Sequence, residues 1–249
     1  MAQKERADQL LCEHGLVESR EGAKRLIMAG LVFYETAGGQ LERVEKPGTK
    51  YPLDTPFQIK GRERFVSRGA YKLLTALEGF SLPVADAVAL DAGASTGGFT
   101  DCLLQHGAAR VYAVDVGHNQ LHEKLRSDAR VICMEKTNLR DAPPTLLPEQ
   151  VDIVTADVSF ISLTLVLPGC VQFLKSGGYV AALVKPQFEL GPEAAPKGVV
   201  RDEALRQAAV DKVTGFAEQT LCLSLLGVLP AAVKGPKGNQ EYMAVWRKD

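Results

Sequence analysis

Two rhythms of apolar positions divide the chain. Over residues 1–60 the apolar positions are sparse and begin at helical spacing. The stretch ERADQLLCEHGLVES predicts a helix with Ala7, Leu10 and Leu11 on one face, and Gly15 suits its C-terminal cap. Ser19 is placed to cap a second helix, REGAKRLIMAG, which ends at Gly30. The spacing then shortens. LVFYE, TKYPL and FQIKG read as short strands separated by Gly, Pro and Asp turns. Two short helices followed by a small sheet make an α+β unit at the small end of what folds alone.

From residue 70 the pattern changes. RGAYKLLTAL reads as an amphipathic helix. AVALDAG, ARVYAVDVG, RVICME, VDIVTADVS and GGYVAALVKP are short apolar runs rich in Val, Ala and Leu, with helix-compatible segments such as Gly98–His106 and Leu163–Leu174 between them. Strands alternating with helices predict an α/β fold, a parallel sheet covered on both faces. The end differs. LCLSLLGVL and EYMAVWRK are joined by PAAVKGPKGNQ, too short for a crossover helix, so they should form an antiparallel hairpin. The expected organisation is a small first domain over 1–60, a basic linker over 61–69 and the α/β domain over 70–249.

Composition narrows the possibilities. The chain has 249 residues, 46% of them apolar, and a formal net charge of -1. Any nucleic-acid partner must therefore be read from local clusters. Two such clusters flank the first unit: Arg20, Lys24 and Arg25 on its second helix, and Lys60, Arg62, Arg64 and Arg68 after its last strand. They read either as a solvated helix face with a polar linker or as a phosphate-binding surface. The five cysteines are scattered, with no zinc spacing, so no metal and no disulfide framework is expected. No secretory signal and no long apolar span is visible, so a cytoplasmic location with no membrane partner is expected.

The stretch VALDAGASTGGFTD joins a strand to a helix through a glycine turn. A dinucleotide fingerprint needs G-x-G-x-x-G, but Gly93, Gly97 and Gly98 are spaced G-x-x-x-G-G. A phosphate loop needs Lys after its glycine, and Phe99 follows Gly98. S-adenosylmethionine has no phosphate. It needs an acid at the first strand end, a close-approach turn and a second acid for its ribose. Asp91 closes the first strand, and Asp115 closes the next, near the spacing of about 20 residues expected for a ribose-binding acid. That acid would serve NAD equally, so the turn decides between the two.

A methyltransferase acting on a ribose must take a proton from a poorly acidic hydroxyl. A lysine made neutral by desolvation and nearby positive charge can be that base. Lys185 follows YVAALV and Asp157 ends VDIVTAD, both at the carboxyl edge where α/β folds bind ligands. Taken alone, Lys72 in RGAYKLLTAL and Glu241 at the opening of the last strand would read as surface charges.

Two resemblances carry the reading further. RADQLLCEHGLVESREGAKRLIMAGLVFYE resembles the alpha-L RNA-binding motif over roughly residues 5–60, which implies recognition of structured RNA through the two-helix face; Arg6, Arg20, Lys24 and Arg25 there, and Arg62, Arg64 and Arg68 of the basic cluster after it, are the candidate RNA contacts. SRGAYKL, LDAGASTGGFTD, ADVSFISL, VKPQFE and GNQEY, in that order, resemble the haemolysin A-like (TlyA-type) family, whose catalytic domain is similar to the FtsJ-type ribose methyltransferases. The resemblance implies a Rossmann-like methyltransferase fold and 2′-O-methylation of ribosomal RNA, usually at cytidine. It also implies ribosomal RNA or ribosomal subunits as partner. The family's Lys-Asp-Lys-Glu tetrad falls on Lys72, Asp157, Lys185 and Glu241. Lys185 would be the base, Lys72 and Glu241 would orient it and the ribose, and Asp157 would align the methyl donor. The cofactor motif falls on Asp91, Gly93, Ala94, Ser95, Thr96 and Gly97, with Asp115 on the ribose and Asn138 toward the adenine.

Other readings remain beside this one. A haemolytic activity, direct or indirect, is suggested by the family's name, and no large basic amphipathic helix supports direct lysis. A non-catalytic ribosome-binding factor would not need the tetrad. A nicotinamide oxidoreductase is disfavoured by the turn. The oligomeric state is not legible.

Overall fold

The computed structural model describes residues 3–17, 19–36, 38–61 and 64–249. The chain forms two compact units, residues 1–64 and 65–249. Arg62, expected as an RNA contact, lies outside the described residues.

The first unit opens with β1 (Lys4–Arg6), followed by α1 (Ala7–Glu13) and α2 (Arg20–Met28). Four short strands complete it: β2 (Val32–Glu35), β3 (Leu41–Arg43), β4 (Lys50–Pro52) and β5 (Phe57–Ile59). Ser19 caps α2 by accepting from the Gly22 amide at 3.2 Å, and Gly15 and Gly30 end the helices in the left-handed region. Ala7, Leu10 and Leu11 of α1 pack with Ala23, Ile27, Val32 and Phe57 into one core. The first helix is shorter than ERADQLLCEHGLVES suggests. Residues 5 and 6 are extended, because β1 pairs antiparallel with β4. β1 and β3 escape sequence reading because three mostly polar residues give no alternation to detect.

The second unit runs α3 (Ala70–Gly79), β6 (Val88–Ala92), α4 (Gly98–Gln105), β7 (Arg110–Val114), α5 (Glu123–Arg126), β8 (Val131–Met134) and β9 (Val151–Ala156). It continues with α6 (Leu163–Val171), β10 (Leu174–Val184), α7 (Pro186–Glu189), α8 (Glu203–Leu221), β11 (Leu223–Pro230) and β12 (Tyr242–Lys248). These strands form one sheet in the order β11-β12-β10-β9-β6-β7-β8. β8, β7, β6, β9 and β10 are parallel, and β12 is antiparallel to both β10 and β11. The mostly parallel sheet with a terminal hairpin is the architecture expected from sequence.

Strand alternation splits the core. Ala89, Ala113, Ile153, Ala181 and Val245 face α3 and α4, while Leu90, Val114, Val154, Ala182 and Trp246 face α6 and α8. Helix α6 stops before the expected Leu174, which already belongs to β10 and pairs with Val151. Gly169 of α6 lies against the Leu139 carbonyl so closely that a Cβ there would stand 1.8 Å from it. Helix α8 gave no sequence signal, since its buried stripe is Ala209, Val210, Val213, Thr214 and Ala217, mostly small residues. Asp202 caps it by accepting from the Leu205 amide at 3.1 Å. The stretch expected as a linker is divided. Phe65 is buried in the second unit's core, and the Val66 amide donates to Asp101 Oδ2 at 2.8 Å.

Candidate active site

Parallel strands bring the ends of β6, β7, β9 and β10 to one edge of the sheet. After β6 the chain turns through Gly93 (φ 81°), Ser95 (φ 48°) and Gly97 (φ 94°) into α4. Close approach explains both glycines. A Cβ on Gly93 would stand 2.8 Å from the Asp157 carbonyl oxygen, and one on Gly97 would stand 2.2 Å from Leu125 Cδ1. Asp115, just past β7, clamps the turn. Its Oδ2 accepts from the Ser95 amide at 2.8 Å and its Oδ1 from the Gly117 amide at 2.7 Å.

Beside the turn lies a cleft of about 370 Å³, lined by Gly93, Ser95, Asp115, Asn138, Asp157 and Ser159 and by apolar Val114, Leu139, Ile161 and Val166. Phe160 and Val116 stand at its rim, 90% and 71% exposed. Asn138 is also a cap. It accepts from the Arg140 amide at 3.0 Å and donates to Asp141 Oδ2 at 3.2 Å. Glu135 supports the loop after β7, accepting from the amides of Asn119 and Gln120 and from Arg126. Those donors, the Asn119 amide foremost, hold its carboxyl down to about 2.

Asp91 is not part of the cleft lining. It is wholly buried and accepts from the Thr100 and Thr155 hydroxyls at 2.7 and 3.0 Å. Burial pushes its carboxyl up to about 6. Its position is behind the turn, one residue before the end of β6. Gly97 likewise packs on Leu125 and Leu121 rather than lining the cleft.

A second cavity of about 190 Å³ shares Gly93, Ser95, Asp157 and Ser159 with the first and adds Ala94, Thr96, Lys72, Lys185 and Pro236. Two ion pairs meet here. Lys185 Nζ is 2.6 Å from Asp157 Oδ1, a charge contact without hydrogen-bond alignment, and donates to Ser159 Oγ at 2.8 Å. Lys72, in the first turn of α3, donates to Glu241 Oε2 at 2.6 Å, and Gln187 donates to Glu241 Oε1 at 3.2 Å. Glu241 is fully buried behind Lys72 and immediately precedes β12 rather than opening it. The structure therefore brings Lys72, Asp157, Lys185 and Glu241 together. Ser159 and Gln187, which sequence reasoning passed over, sit among them. ADVSFISL and VKPQFE held both residues, but nothing in a lone Ser or Gln signals a lysine or glutamate partner.

Three of the first unit's expected RNA contacts are paired with acids. Arg6 makes two 2.9 Å bonds to Asp8, Arg20 reaches Asp8 at 3.4 Å, and Lys24 bonds Glu21 at 2.6 Å. Asp8 itself is buried, and these arginines hold its carboxyl below the usual range. Arg25, Arg64 and Arg68 are exposed. Among the described residues no group of three or more His, Cys, Asp and Glu could hold a metal ion.

Comparison with known proteins identifies the family of the second unit. The profile of the FtsJ-like methyltransferase family matches residues 65–248, the whole second unit apart from its last residue. YqxC of Bacillus subtilis, named for rRNA methyltransferase activity, is 46% identical over 247 residues, covering 97% of this chain and 85% of that protein. TlyA of Mycobacterium tuberculosis, named a 16S/23S rRNA (cytidine-2'-O)-methyltransferase, is 44% identical over 245 residues, covering 97% of this chain and 89% of that protein. A solved structure of a provisionally named hemolysin from Streptococcus thermophilus is 46% identical with a TM-score of 0.73, covering 100% of this chain and 90% of that one. With a Rossmann-type sheet, a glycine turn clamped by Asp115 and relatives matched along nearly its full length, the chain belongs to the FtsJ-like methyltransferase family.

Proposed function

We propose that this protein transfers a methyl group from S-adenosylmethionine to the ribose 2′-hydroxyl of cytidine in ribosomal RNA. The observation that carries the reading is the meeting of two lysine–carboxylate pairs, Lys185–Asp157 and Lys72–Glu241, at the floor of a cleft beside the glycine turn. The names of the close relatives support the substrate class.

The residues present fit the cofactor. Asp115 offers a carboxylate at the cleft edge for ribose hydroxyls, and Val114, Leu139 and Val166 offer an apolar floor for a flat base. No lysine lies within the turn itself, which suits a ligand without phosphate. When bound, the cofactor supplies the methyl group from its sulfonium. Asp157, at the junction of the two cavities, would face that end.

The chain's own residues then have separable tasks. Lys185 Nζ, in its neutral form after releasing a proton to solvent, accepts the proton of the ribose hydroxyl as that oxygen takes the methyl group. Asp157 and Ser159 fix two directions around that nitrogen, which leaves the third toward the cavity. Lys72, braced by Glu241 and through it by Gln187, offers a charged wall that orients the ribose oxygen. Positioning and preorganised charge of this kind can supply most of a rate enhancement. The first unit is read as an RNA-binding module of the alpha-L type, acting through Arg6, Arg20, Lys24 and Arg25, with Arg64 and Arg68 beyond it. A ribosomal substrate implies a cytoplasmic protein.

The test is transfer of labelled methyl to isolated ribosomal subunits, with the modified nucleotide mapped. Lys185→Met should lower kcat by about 100- to 10,000-fold, the range of a lost general base, while cofactor binding by calorimetry persists. Full activity in that variant would remove Lys185 from its role. Tight NAD binding without S-adenosylmethionine binding would overturn the cofactor assignment. For the haemolytic alternative, dye-loaded vesicles should stay intact with the protein added. Among the described residues no helix is long and apolar enough to cross a membrane.

A further inference from the structure

Pro-Lys-Gly occurs twice in the second unit, at residues 196–198 and 236–238. Both copies fold as single tight turns. In each, the lysine takes a left-handed backbone, φ 57° at Lys197 and at Lys237, with the glycine following at 79° and 82°. A lysine rarely adopts that conformation, and it persists only where the surroundings fix it. Here the two turns fix each other. Asn239, 3% exposed, donates to the Gly198 carbonyl at 2.8 Å and accepts from the Val200 amide at 3.1 Å. Lys237 Nζ donates to the Lys197 carbonyl at 3.1 Å.

This paired element sits at the mouth of the catalytic cavity. Pro236 lines that cavity together with Lys72 and Lys185. The preceding Gly235 lies against Glu241, where a Cβ would stand 2.1 Å from Oε1. Ser67 and Gly69 line the same cavity, and Arg68 between them is exposed. Lys197, Lys237 and Arg68 are all exposed, and among the described residues none is ion-paired with a carboxylate. Elsewhere in this unit Arg110, Arg126, Arg130 and Lys175 are paired with acids. Among the described residues, three exposed cations at this mouth thus carry no carboxylate partner.

We propose that the twin Pro-Lys-Gly turns are a phosphate clamp for the RNA substrate. Lys197 and Lys237 together grip one backbone phosphate beside the nucleotide whose ribose enters the cavity, and Arg68 takes a phosphate on the other side. An ammonium has three donors, so Lys237 keeps two for phosphate oxygens after bonding the Lys197 carbonyl. The left-handed backbone holds both lysines on short, fixed turns rather than on mobile loops. Contacts of this kind fix register without reading sequence. This rests on the proposed ribose methylation and adds the element that presents the RNA strand to Lys185.

The test uses the full-length protein and an rRNA fragment that accepts methyl groups, with RNA binding measured in parallel over a series of KCl concentrations. Lys197→Gln/Lys237→Gln should reduce the slope of log affinity against log salt by about 0.7–0.9, the share of one phosphate, and each single variant by part of that. The double variant should raise the RNA KM by about tenfold near physiological salt, with kcat at saturating RNA reduced less than threefold and cofactor affinity unchanged. Lys237→Arg should keep the slope. An unchanged slope and RNA KM in the double variant would overturn the clamp while leaving the methylation reading intact. Loss of kcat or cofactor affinity with an unchanged slope would also overturn it, making the turns only a brace for Glu241. Lys197→Gln guards against misfolding, since Lys197 contributes only its backbone carbonyl to the bridge. Binding slopes are obtained even if the wild-type protein methylates nothing, so failure of the functional reading would be seen separately.

Discussion

Removing the Lys72 ammonium should expose how the site holds Glu241. Side-chain exposure is 11% for Lys72 and 0% for Glu241, so the pair is shielded from water on the carboxylate side. In Lys72→Met, Gln187 Nε2 at 3.2 Å is, among the described residues, the side-chain donor left to Glu241. The carboxylate cannot retreat, because Gly235 packs against its Oε1. Breaking a buried pair by deleting one partner costs about 3–5 kcal/mol, since the other charge stays buried. For a domain of this size that lowers the melting temperature by about 10 °C. Removing both charges should cost less than the single losses suggest. Lys72→Met/Glu241→Gln should be at least ~2 kcal/mol more stable than the sum of the two single variants allows. Urea unfolding followed by tryptophan fluorescence measures this cleanly. Trp246 is the chain's single tryptophan, lies fully buried in β12 and reports the second unit alone. A cost below ~1 kcal/mol for Lys72→Met, or a strictly additive double variant, would refute the idea that Lys72 exists to neutralise Glu241.

Two further outcomes follow from neighbouring groups. Burial raises the Asp91 carboxyl from 3.8 to about 6, so between roughly pH 4 and 6 the folded state binds its proton more tightly than the unfolded state does. Stability should therefore fall as pH rises through that window, by roughly 3 kcal/mol from this group. Glu189, also raised by burial, adds to the same trend. Asp91→Asn should flatten the dependence of the urea midpoint on pH while sparing cofactor affinity, because Asp91 does not line the cleft; a wild-type pH slope in that variant would contradict it. Ser159→Ala leaves Lys185 Nζ with one fixed neighbour and should lower kcat about 10- to 100-fold with RNA KM nearly unchanged. Ser159→Thr should restore most of the rate, and an alanine variant as fast as wild type would show that Ser159 does not orient the lysine.

The sheet was legible because buried parallel strands are continuous apolar runs, and five of them stood between turn residues. The glycine turn was legible because close approach tolerates no side chain at Gly93. What stayed hidden shares a cause: partners distant in sequence. Asp8 looks like an ordinary first-turn acid of α1 until Arg20, from the next helix, joins the neighbouring Arg6 at its carboxylate. Glu135 looks like surface charge until the amides of Asn119 and Gln120 turn toward it. Asp91 shows the opposite case, an acid whose burial the sequence does not signal. An acid near a strand end suggests a ligand contact, but strand alternation and the hydroxyls of Thr100 and Thr155 turn it inward.

The position of Glu241 depends on register more than on motif. It is 169 residues from Lys72 along the chain, and no local pattern connects them. The link is the antiparallel insertion of β12 between β10 and β11. Val184 pairs with Tyr242, so the residue after β10 and the residue before β12 emerge at the same edge: Lys185 and Glu241. A one-residue slip of β12 would turn Met243 and Val245 from the core face shared with α3 to the opposite face, and would carry Glu241 away from Lys72. The apolar residues on both faces of β12 therefore fix the placement of Glu241 beside Lys72 as well as the core. A variant that weakened this alternation, such as Val245→Asp, would disturb Glu241 without touching any residue of the cleft.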